Sequence, residues 1–366
     1  MPAEKTLPQS PQLILPDAAS LESRAIWRAL TEAHRHLAEL KGLTESLPNG
    51  ALLVDTLAIQ EAKDSSEIEN IITTHDELYA SRSDGTGTPA AKEVQHYVAA
   101  LRAGSDIVKK EGLIRLSTIL TVQAEIEGKN AGMRKVPGTV LRNQSTGKTI
   151  YEPPQSAEDV KRLMNELVDF IHAENDLDPL LRMAIAHHQF ERIHPFYDGN
   201  GRTGRVLNLL MLQREGLLDL PVLYLSRYIT TTKADYYGLL QSTRDTGNWQ
   251  AWCLYMVKGV AVTAKSEIAL IKALRDMMLD TKQRMRTALP KIYSQELLNN
   301  LFRYPYTKIE FVEKDLGVSR ITAARHLDLL AEKSFVKKQK IGRVNFYINQ
   351  PLYELLTSVF LPETAT

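Results

Sequence analysis

The segment 194–205, HPFYDGNGRTGR, lies between two patterns typical of helices and is the feature that most constrains this chain. The pattern before it covers 179–193 and the pattern after it covers 202–215. Its Gly-Asn-Gly at 199–201 tolerates positive φ, so successive backbone N–H groups can converge on one anion. The following helix adds the positive end of its dipole at the same place. The segment therefore predicts an anion-binding loop at a helix N-terminus.

Four side chains of this segment indicate which anion it binds. Arg202 and Arg205 project from the first turns of the predicted helix, where two guanidinium groups are unfavourable beside the dipole unless an anion lies between them. Asp198 offers a hard oxygen ligand that suits a Mg²⁺ bridging phosphates. His194 is of the residue type that accepts a proton near neutral pH. A glycine-rich helix start with surface arginines and a core histidine is the alternative, but it does not explain the combination. We favour a polyphosphate site with a general base.

Composition sets the outer limits. The 366 residues predict two or three domains, and an apolar fraction of 43% is sufficient for a sizeable core. One cysteine, Cys253, excludes a disulfide framework and a cysteine-rich zinc site, and its neighbours Trp249 and Trp252 indicate a packed helix rather than a reactive nucleophile. No basic segment followed by an apolar core opens the chain, and no apolar run reaches the roughly 20 residues that span a bilayer. We expect a cytoplasmic protein without a membrane contact.

Helical periodicity dominates, so the predicted fold class is mainly α. The expected parts are an extended N-terminal arm (1–19), a helical region (20–90), a catalytic core (91–282) and a C-terminal domain (290–356). A loop is expected at 81–89, and one long helical stretch at 233–282. Within the core, β-prone residues at 139–141 and 149–151 flank a turn at 145–147 and predict an exposed β-hairpin, 136–152.

The C-terminal domain reads as a winged helix-turn-helix. Helical patterns at 310–316 and 321–332 are separated by Gly317-Val318-Ser319, with Ser319 as N-cap, and strands are expected at 335–340 and 344–348. Basic residues concentrate there, which makes DNA contact one hypothesis and a solvated wing or a protein-binding module the other. The candidate DNA contacts are Arg320, Arg325, Lys337 and Lys338, within a run that also holds Lys333, Lys340 and Arg343.

The segment 194–205 resembles the signature of the Fic family, HPFx(D/E)GNGRxxR, and matches it at every defined position. The resemblance implies a Fic-type helical bundle with a β-hairpin flap, here joined to the small winged-helix (α+β) domain. It also implies transfer of AMP from ATP to a Ser, Thr or Tyr hydroxyl of a target protein, with His194 as base and Asp198 as Mg²⁺ ligand. The flap would dock the target through Val140 and Leu141, and Tyr236 would lie near the adenine. The ATP-binding residues so implied are Glu69, His194, Gly199, Asn200, Gly201, Arg202, Thr203, Gly204, Arg205 and Tyr236.

A second motif, Ser65 to Asn70, resembles the inhibitory motif (S/T)xxxE(G/N) of that family. Ser65 and Glu69 would share one helix face, so that the hydroxyl steadies the carboxylate. A glutamate is a good bidentate partner for Arg205, and the pair would keep this arginine from the γ-phosphate. A solvated helical glutamate is the alternative. We expect inhibition by Glu69 in concert with Ser65 and Asn70.

The leading function is therefore a self-inhibited protein adenylyltransferase that releases pyrophosphate and modifies another protein or itself. Transfer of UMP or phosphocholine and removal of AMP from the target stay open, and a homodimer rests on the resemblance alone. The second function is a nucleotide-sensing, DNA-binding regulator with little turnover. His187 and His188 are adjacent on a helix, about 100° apart around its axis, and are expected in the core rather than on one metal ion.

Overall fold

The computed structural model describes residues 12–45, 50–81, 88–142, 147–341 and 344–358. The chain divides into two compact units, one made of 1–31, 99–217 and 232–258 and the other of 32–98, 218–231 and 259–366. Most of the described residues are helical, which confirms the mainly α class. The helices are α1 (Arg24–Glu45), α2 (Gly50–Ile68), α3 (His75–Ser81), α4 (Pro89–Glu111), α5 (Leu116–Glu127), α6 (Ala157–His172), α7 (Pro179–Ile193), α8 (Asn200–Arg214), α9 (Leu225–Thr231), α10 (Lys233–Thr246), α11 (Trp249–Ala288), α12 (Gln295–Arg303), α13 (Ile309–Leu316), α14 (Arg320–Glu332) and α15 (Gln350–Thr357). The strands are β1 (Leu141–Arg142), β2 (Thr149–Tyr151), β3 (Tyr306–Thr307), β4 (Lys337–Ile341) and β5 (Val344–Ile348).

The core of the first unit is built around α8, whose residues are buried almost without interruption from Asn200 to Gln213. It packs against α7 and α5. At Gly204 a Cβ atom would lie 3.0 Å from the Phe190 ring and 3.4 Å from His187, so glycine permits the close approach of α7. Helix α7 begins where Asp178 accepts from the Leu180 amide and Pro179 occupies the first turn.

The hairpin of the first unit is short. Strands β1 and β2 pair antiparallel, with Leu141 opposite Tyr151 and Arg142 opposite Thr149. The predicted second strand, 149–151, is confirmed, whereas the first begins two residues later than expected and leaves Val140 outside it. Two of the three turn residues expected at 145–147, Ser145 and Thr146, lie outside the described part of the chain.

In the second unit, α2 packs against α9 and α12. The C-terminal residues of this unit follow the order helix, strand, helix, helix, strand, strand, from α12 to β5. The three strands form an antiparallel sheet in the order β3-β5-β4. Gly317 adopts a left-handed conformation (φ 64°) after α13, and the Ser319 side chain accepts from the Thr322 amide at 3.2 Å. The predicted turn and N-cap are therefore correct. Arg343 and residues 82–87 of the expected loop lie outside the described ranges.

Several elements escaped the sequence analysis. The stretch 233–282 was expected to be one helical run, but Gly247 (φ 71°) ends α10 and α11 starts two residues later. Three short helices, α9, α12 and α15, and the two-residue strand β3 were not predicted. Within the expected arm, residues 12–17 are irregular and Ala18–Leu21 form a single 3-10 turn.

Candidate active site

His194 occupies the C-cap of α7 in a left-handed conformation (φ 48°, ψ 61°), and its amide donates to the Phe190 carbonyl at 2.9 Å. A positive φ is uncommon for a residue with a Cβ atom and turns the chain sharply away from the helix. The imidazole is thus carried by the residue at which the helix gives way to the signature loop. His194 is half-buried, so it is both held by the protein and reachable from solvent.

Arg134, which the sequence analysis did not single out, holds the loop in place. Its Nε atom donates to the His194 carbonyl at 2.8 Å, and its Nη2 atom donates to the carbonyls of Ile193 (3.1 Å) and Pro154. Its own amide donates to the Pro195 carbonyl at 2.9 Å. The side chain is 2% exposed, so desolvation lowers the pKa of this guanidinium from its ordinary value. The sequence signal that could have identified this residue is an arginine within the glycine-rich stretch before the hairpin.

The loop itself is closed by Asn200. Its Oδ1 accepts from the Phe196 amide and its Nδ2 donates to the Phe196 carbonyl, both at 2.9 Å. Tyr197 connects the loop to the residues before the hairpin, because its hydroxyl accepts from the amides of Lys135 (2.9 Å) and Val136 (3.2 Å). Those two donors lower the pKa of the Tyr197 phenol. The loop is therefore preorganised by hydrogen bonds that need no ligand.

The start of α8 has the features of an anion site. Gly199 is its N-cap at φ 75°, and the first intrahelical bond runs from the Thr203 amide to the Gly199 carbonyl at 2.9 Å. No side chain of the described residues caps this helix. The amides of the first turn therefore have no intrahelical carbonyl, and together with the dipole they favour a negative ligand. Of the three residues expected in the loop, only Gly199 has a positive φ, because Asn200 and Gly201 already belong to α8, which begins two residues before the predicted start at Arg202. Anion binding here stays a prediction.

Arg202 differs from the expectation that it faces phosphate only. Its Nη2 atom lies 3.0 Å from Glu127 Oε1 at the end of α5, and the two side chains are 4% and 9% exposed. Asp198 Oδ1 lies on the other side at 3.8 Å. Arg205, the second arginine of the signature, is buried on α8. Nucleotide contacts by these arginines stay predictions, and the ion pair with Glu127 is a finding that spacing alone did not reveal.

Asp198 is suited to a Mg²⁺ that is shared with phosphate. Its side chain is 78% exposed, and one of its oxygens accepts from the Gly199 amide at 2.7 Å. No group of three or more His, Cys, Asp or Glu side chains in the described part of the chain could hold a metal ion without other ligands. An ion that takes one carboxylate and completes its shell with water and substrate phosphate fits this donor set.

The predicted core histidines are confirmed. His187 and His188 are fully buried, and desolvation is the main cause that lowers their pKa values to about 3 and about 4. One ring nitrogen of His187 lies 3.3 Å from the Gly204 carbonyl and the other 2.8 Å from the Tyr236 hydroxyl. Both histidines stack on or abut Trp252. Both histidines therefore belong to the core that supports α8.

Tyr236, Thr203 and Gly204 are buried in the first unit. Tyr236 is 1% exposed within a cluster of aromatic rings, and the other two residues are buried against the core. The side chains of Tyr236 and Thr203 pack in the core, and contacts of all three residues to ATP stay predictions. The candidate DNA contacts are already engaged in part, since Lys338 Nζ lies 2.7 Å from Asp328 and Arg320 lies 3.9 Å from Glu310. DNA contact by Arg320, Arg325, Lys337 and Lys338 likewise stays a prediction.

The second unit contains the motif 65–70. We expected Ser65 and Glu69 on one helix face, but α2 ends at Ile68 and Glu69 is the residue after it. The amides of Asn70 and Ile71 donate back to the carbonyls of Glu67 and Ser66, both at 3.0 Å, and Asn70 has φ 62°. This pattern is a Schellman motif, whose left-handed position accepts glycine or asparagine and few other residues. The left-handed backbone conformation therefore explains why this position of the motif is Gly or Asn.

The helix that carries the motif is fixed by buried acids. Glu61 accepts from the Tyr97 hydroxyl and the Ser226 amide, both at 3.0 Å, and from the Ser226 hydroxyl. Asp64 Oδ2 lies 3.3 Å from Arg227 Nε. Burial is the main cause that raises the pKa of Glu61 to about 7, against the hydrogen bonds that lower it. Helix α2 is thus joined to α4 and α9 directly before the inhibitory residues.

With this geometry established, the chain can be compared with known proteins. A crystal structure of a Fic family protein from Desulfovibrio desulfuricans G20 superposes with a TM-score of 0.59 at 18% identity and covers 92% of this chain and 98% of the other. The Fic-1 protein of Caenorhabditis elegans gives 0.52 at 22% identity, over 69% of this chain and 74% of the other. The fold is that of Fic proteins.

Sequence comparisons agree with the fold. The model of the Fic/DOC family N-terminal region matches residues 27–106, and that of the protein adenylyltransferase SoFic-like C-terminal domain matches residues 277–352. Both matched models describe regions of Fic-type proteins, and relatives of this chain are named protein adenylyltransferases. The chain resembles the following two in sequence. It is 33% identical over 132 residues to protein adenylyltransferase fic-1 of Caenorhabditis elegans, and 28% identical over 195 residues to a probable protein adenylyltransferase of Aquifex aeolicus.

The matches cover only part of each protein. They span 35% and 51% of this chain, and 24% and 58% of the length of those two relatives. Among the described residues, no helix is long and apolar enough to cross a membrane.

Proposed function

We propose that this chain is a protein adenylyltransferase that moves AMP from ATP to a hydroxyl group of a protein and releases pyrophosphate. The observation that carries the proposal is the N-terminus of α8, whose N-cap Gly199 has a left-handed conformation, offers no capping side chain and lies five residues after His194. A polyphosphate would accept hydrogen bonds from the first-turn amides and balance the two signature arginines. The names of the relatives support AMP as the transferred group.

His194 would act as the general base. The target hydroxyl loses its proton to the imidazole while its oxygen forms a bond to the α-phosphorus, and the bond from that phosphorus to the bridging oxygen of pyrophosphate breaks. Arg202 and Arg205 would stabilise charge on the leaving phosphates, and Asp198 would hold Mg²⁺. When bound, this ion would neutralise phosphate oxygens and help to orient them. Catalysis then consists mainly of positioning and electrostatic stabilisation by a preformed loop.

Glu69 would restrain this activity. It follows a helix that is tied down by Glu61 and Asp64, and it precedes a left-handed residue that fixes the direction of the chain. The pairing of this carboxylate with Arg205 is proposed from the motif 65–70. A paired Arg205 would be withheld from the γ-phosphate, and ATP would bind unproductively.

The test uses ATP labelled at either the α- or the γ-phosphate, with Mg²⁺ and the purified full chain. We expect protein labelling from α-labelled ATP only, weak in the wild type, at least tenfold stronger in Glu69→Gly and absent in Glu69→Gly/His194→Ala. Label from the γ-position would mean phosphoryl transfer instead. No label from either nucleotide, on the chain itself or on lysate proteins, would exclude ATP as donor, and the assay would be repeated with UTP and a phosphocholine donor.

A further inference from the structure

An extended segment of this chain lies along α7 in the first unit. The Arg192 Nη1 atom donates to the main-chain oxygen of Gln12 at 3.0 Å, and Gln189 Nε2 donates to that of Ile14 at 2.5 Å. Carbonyl groups two residues apart point to the same side of an extended chain. Two side chains one turn apart on a helix thus contact main-chain atoms that any polypeptide offers. The contact is specific for an extended backbone rather than for one sequence.

Gln189 has capacity to bind more than this segment uses. Its side chain is fully buried, and its Oε1 atom has no hydrogen-bond partner among the described residues. A buried acceptor without a partner is costly, about 1–3 kcal/mol. In an extended chain the N–H and C=O groups of one residue point to the same side, so an extended ligand in better register could satisfy both ends of the Gln189 amide. The segment in place satisfies only the donor.

The segment also fits its groove loosely. Leu13 borders two cavities, of about 420 and about 940 Å³. The smaller is completed by Tyr151 and Pro153 of the hairpin and by Leu163 and Ile193. The larger has an apolar floor that Leu15 shares with other residues, among them Phe170, Leu181 and Ile185. Space of this size beside a leucine can accept a larger side chain.

The groove adjoins the site described above. Tyr151, the last residue of β2, donates from its hydroxyl to the Arg192 carbonyl at 3.0 Å, and Ile193 directly precedes His194. A peptide bound in the groove is therefore held by the same helix end that carries the base. Hairpin and helix form one continuous wall for it.

We propose that this groove is a docking site for an extended segment of the target protein, and that residues 12–16 occupy it as a weak self-ligand. The ligand has apolar side chains at two alternating positions, which correspond to Leu13 and Leu15. At the first of these positions an aromatic residue fits better than leucine. That the ligand belongs to a substrate rests on the proposed function; the binding itself does not. Because the self-ligand is tethered, its effective concentration is high, and a target segment has to displace it.

The test measures fluorescence anisotropy of a labelled peptide with the sequence of residues 9–18 (QSPQLILPDA), without nucleotide, on the full chain. Leu13→Asp in the protein should weaken the self-ligand, and we expect the peptide to bind this variant at least tenfold more tightly than the wild type. A peptide carrying Leu13→Trp should bind more tightly still, and one carrying Leu13→Asp should not bind. Adding Arg192→Met to the variant should weaken binding several-fold, whereas the matched Arg162→Met on α6 should not.

Equal affinity for wild type and Leu13→Asp, absence of binding to both, or equal effects of Arg192→Met and Arg162→Met would each overturn the proposal. Circular dichroism confirms folding, and Leu15→Asp replaces Leu13→Asp if that protein does not fold, with the same expected gain. Peptide binding without any AMP transfer would refute the proposed function and leave the docking site intact. AMP transfer without peptide binding would refute the docking site alone.

Discussion

Glu127 and Arg202 form an ion pair of 3.0 Å that is almost wholly removed from solvent, and it joins the end of α5 to the first turn of α8. Glu127 also contacts the loop backbone, since a Cβ atom at Gly199 would lie 2.7 Å from its Oε1. One carboxylate therefore holds a signature arginine and lies against a signature glycine. The signature loop depends on a residue far outside the signature.

Glu127→Gln should destabilise the protein, because it leaves the Arg202 charge buried without its counter-charge. Breaking a buried pair in this way costs about 3–5 kcal/mol, and a neutral amide that still accepts should bring the cost to the lower end. Urea unfolding provides the measurement. Glu125→Gln, an exposed neighbour on the same helix, is the control, and equal midpoints for the two variants would contradict the importance of the pair.

Asn70→Ala should destabilise the protein by about 1–2 kcal/mol, the usual cost of a left-handed residue with an ordinary side chain. Asn70→Gly should be neutral within about 0.5 kcal/mol, because glycine adopts this conformation without strain. If the cap orients Glu69, Asn70→Ala should also raise AMP transfer relative to Asn70→Gly. Thermal unfolding and the α-label assay test the two parts, and identical behaviour of the two variants would contradict a backbone role.

Stability should fall as pH rises, with Glu61 as one cause. Its pKa is raised from 4.5 to about 7 by burial, so between these values the folded chain holds a proton that the unfolded chain has lost. The stabilisation is complete below pH 4.5 and lost above pH 7, a difference of about 3 kcal/mol. The buried neighbours Asp64 and Glu267 have raised pKa values as well and act in the same direction.

Glu61→Gln removes this titration while keeping an acceptor for Ser226. The free energy of unfolding of the variant, relative to the wild type, should therefore improve by about 3 kcal/mol between pH 4 and pH 8. Chemical denaturation of both proteins at both pH values measures this change. Other titrating groups are present in both proteins, so their contributions largely cancel when the variant is compared with the wild type. A difference that is independent of pH would mean that the pKa of Glu61 is the same in the folded and unfolded chains.

Cys253 should be inert in the native protein. It is fully buried on α11, and burial raises the pKa of its thiol to about 12, so the reactive thiolate is scarce at neutral pH. A thiol-reactive chromophore should report no reaction over an hour in buffer at pH 8 and one thiol per chain in denaturant. Rapid native labelling would contradict the packed environment, and Cys253→Ala serves as the blank.

The sequence predicted local structure best where a backbone conformation restricts which residue types can occur. Helix α7 was predicted to its exact ends, because Asp178 and Pro179 start it and the signature interrupts it. The signature loop and the turn at Gly317 were equally readable, since positive φ restricts residue choice. The two strands of the hairpin and the strands β4 and β5 were placed within two residues, whereas β3 was not predicted.

What the sequence did not reveal depends on contacts between distant residues. Arg134 and Glu127 lie 60 and 75 residues from the loop positions they hold, and no local pattern marks either of them. The burial of Tyr236 among aromatic rings was likewise not evident, because a tyrosine in a helix has the same local pattern whether it faces a cavity or a core. Helix α9 is seven residues long and amphipathic over too few turns to stand out.

The Arg134 side chain binds the carbonyls of His194 and Pro154 at once, and it thereby couples two parts of the first unit that evolution could otherwise alter separately. The link from Pro154 to the residue that carries the base does not pass through the strands of the hairpin. The hairpin sequence can therefore change while this link is kept. Arg134 itself makes both contacts, so its replacement would break this link.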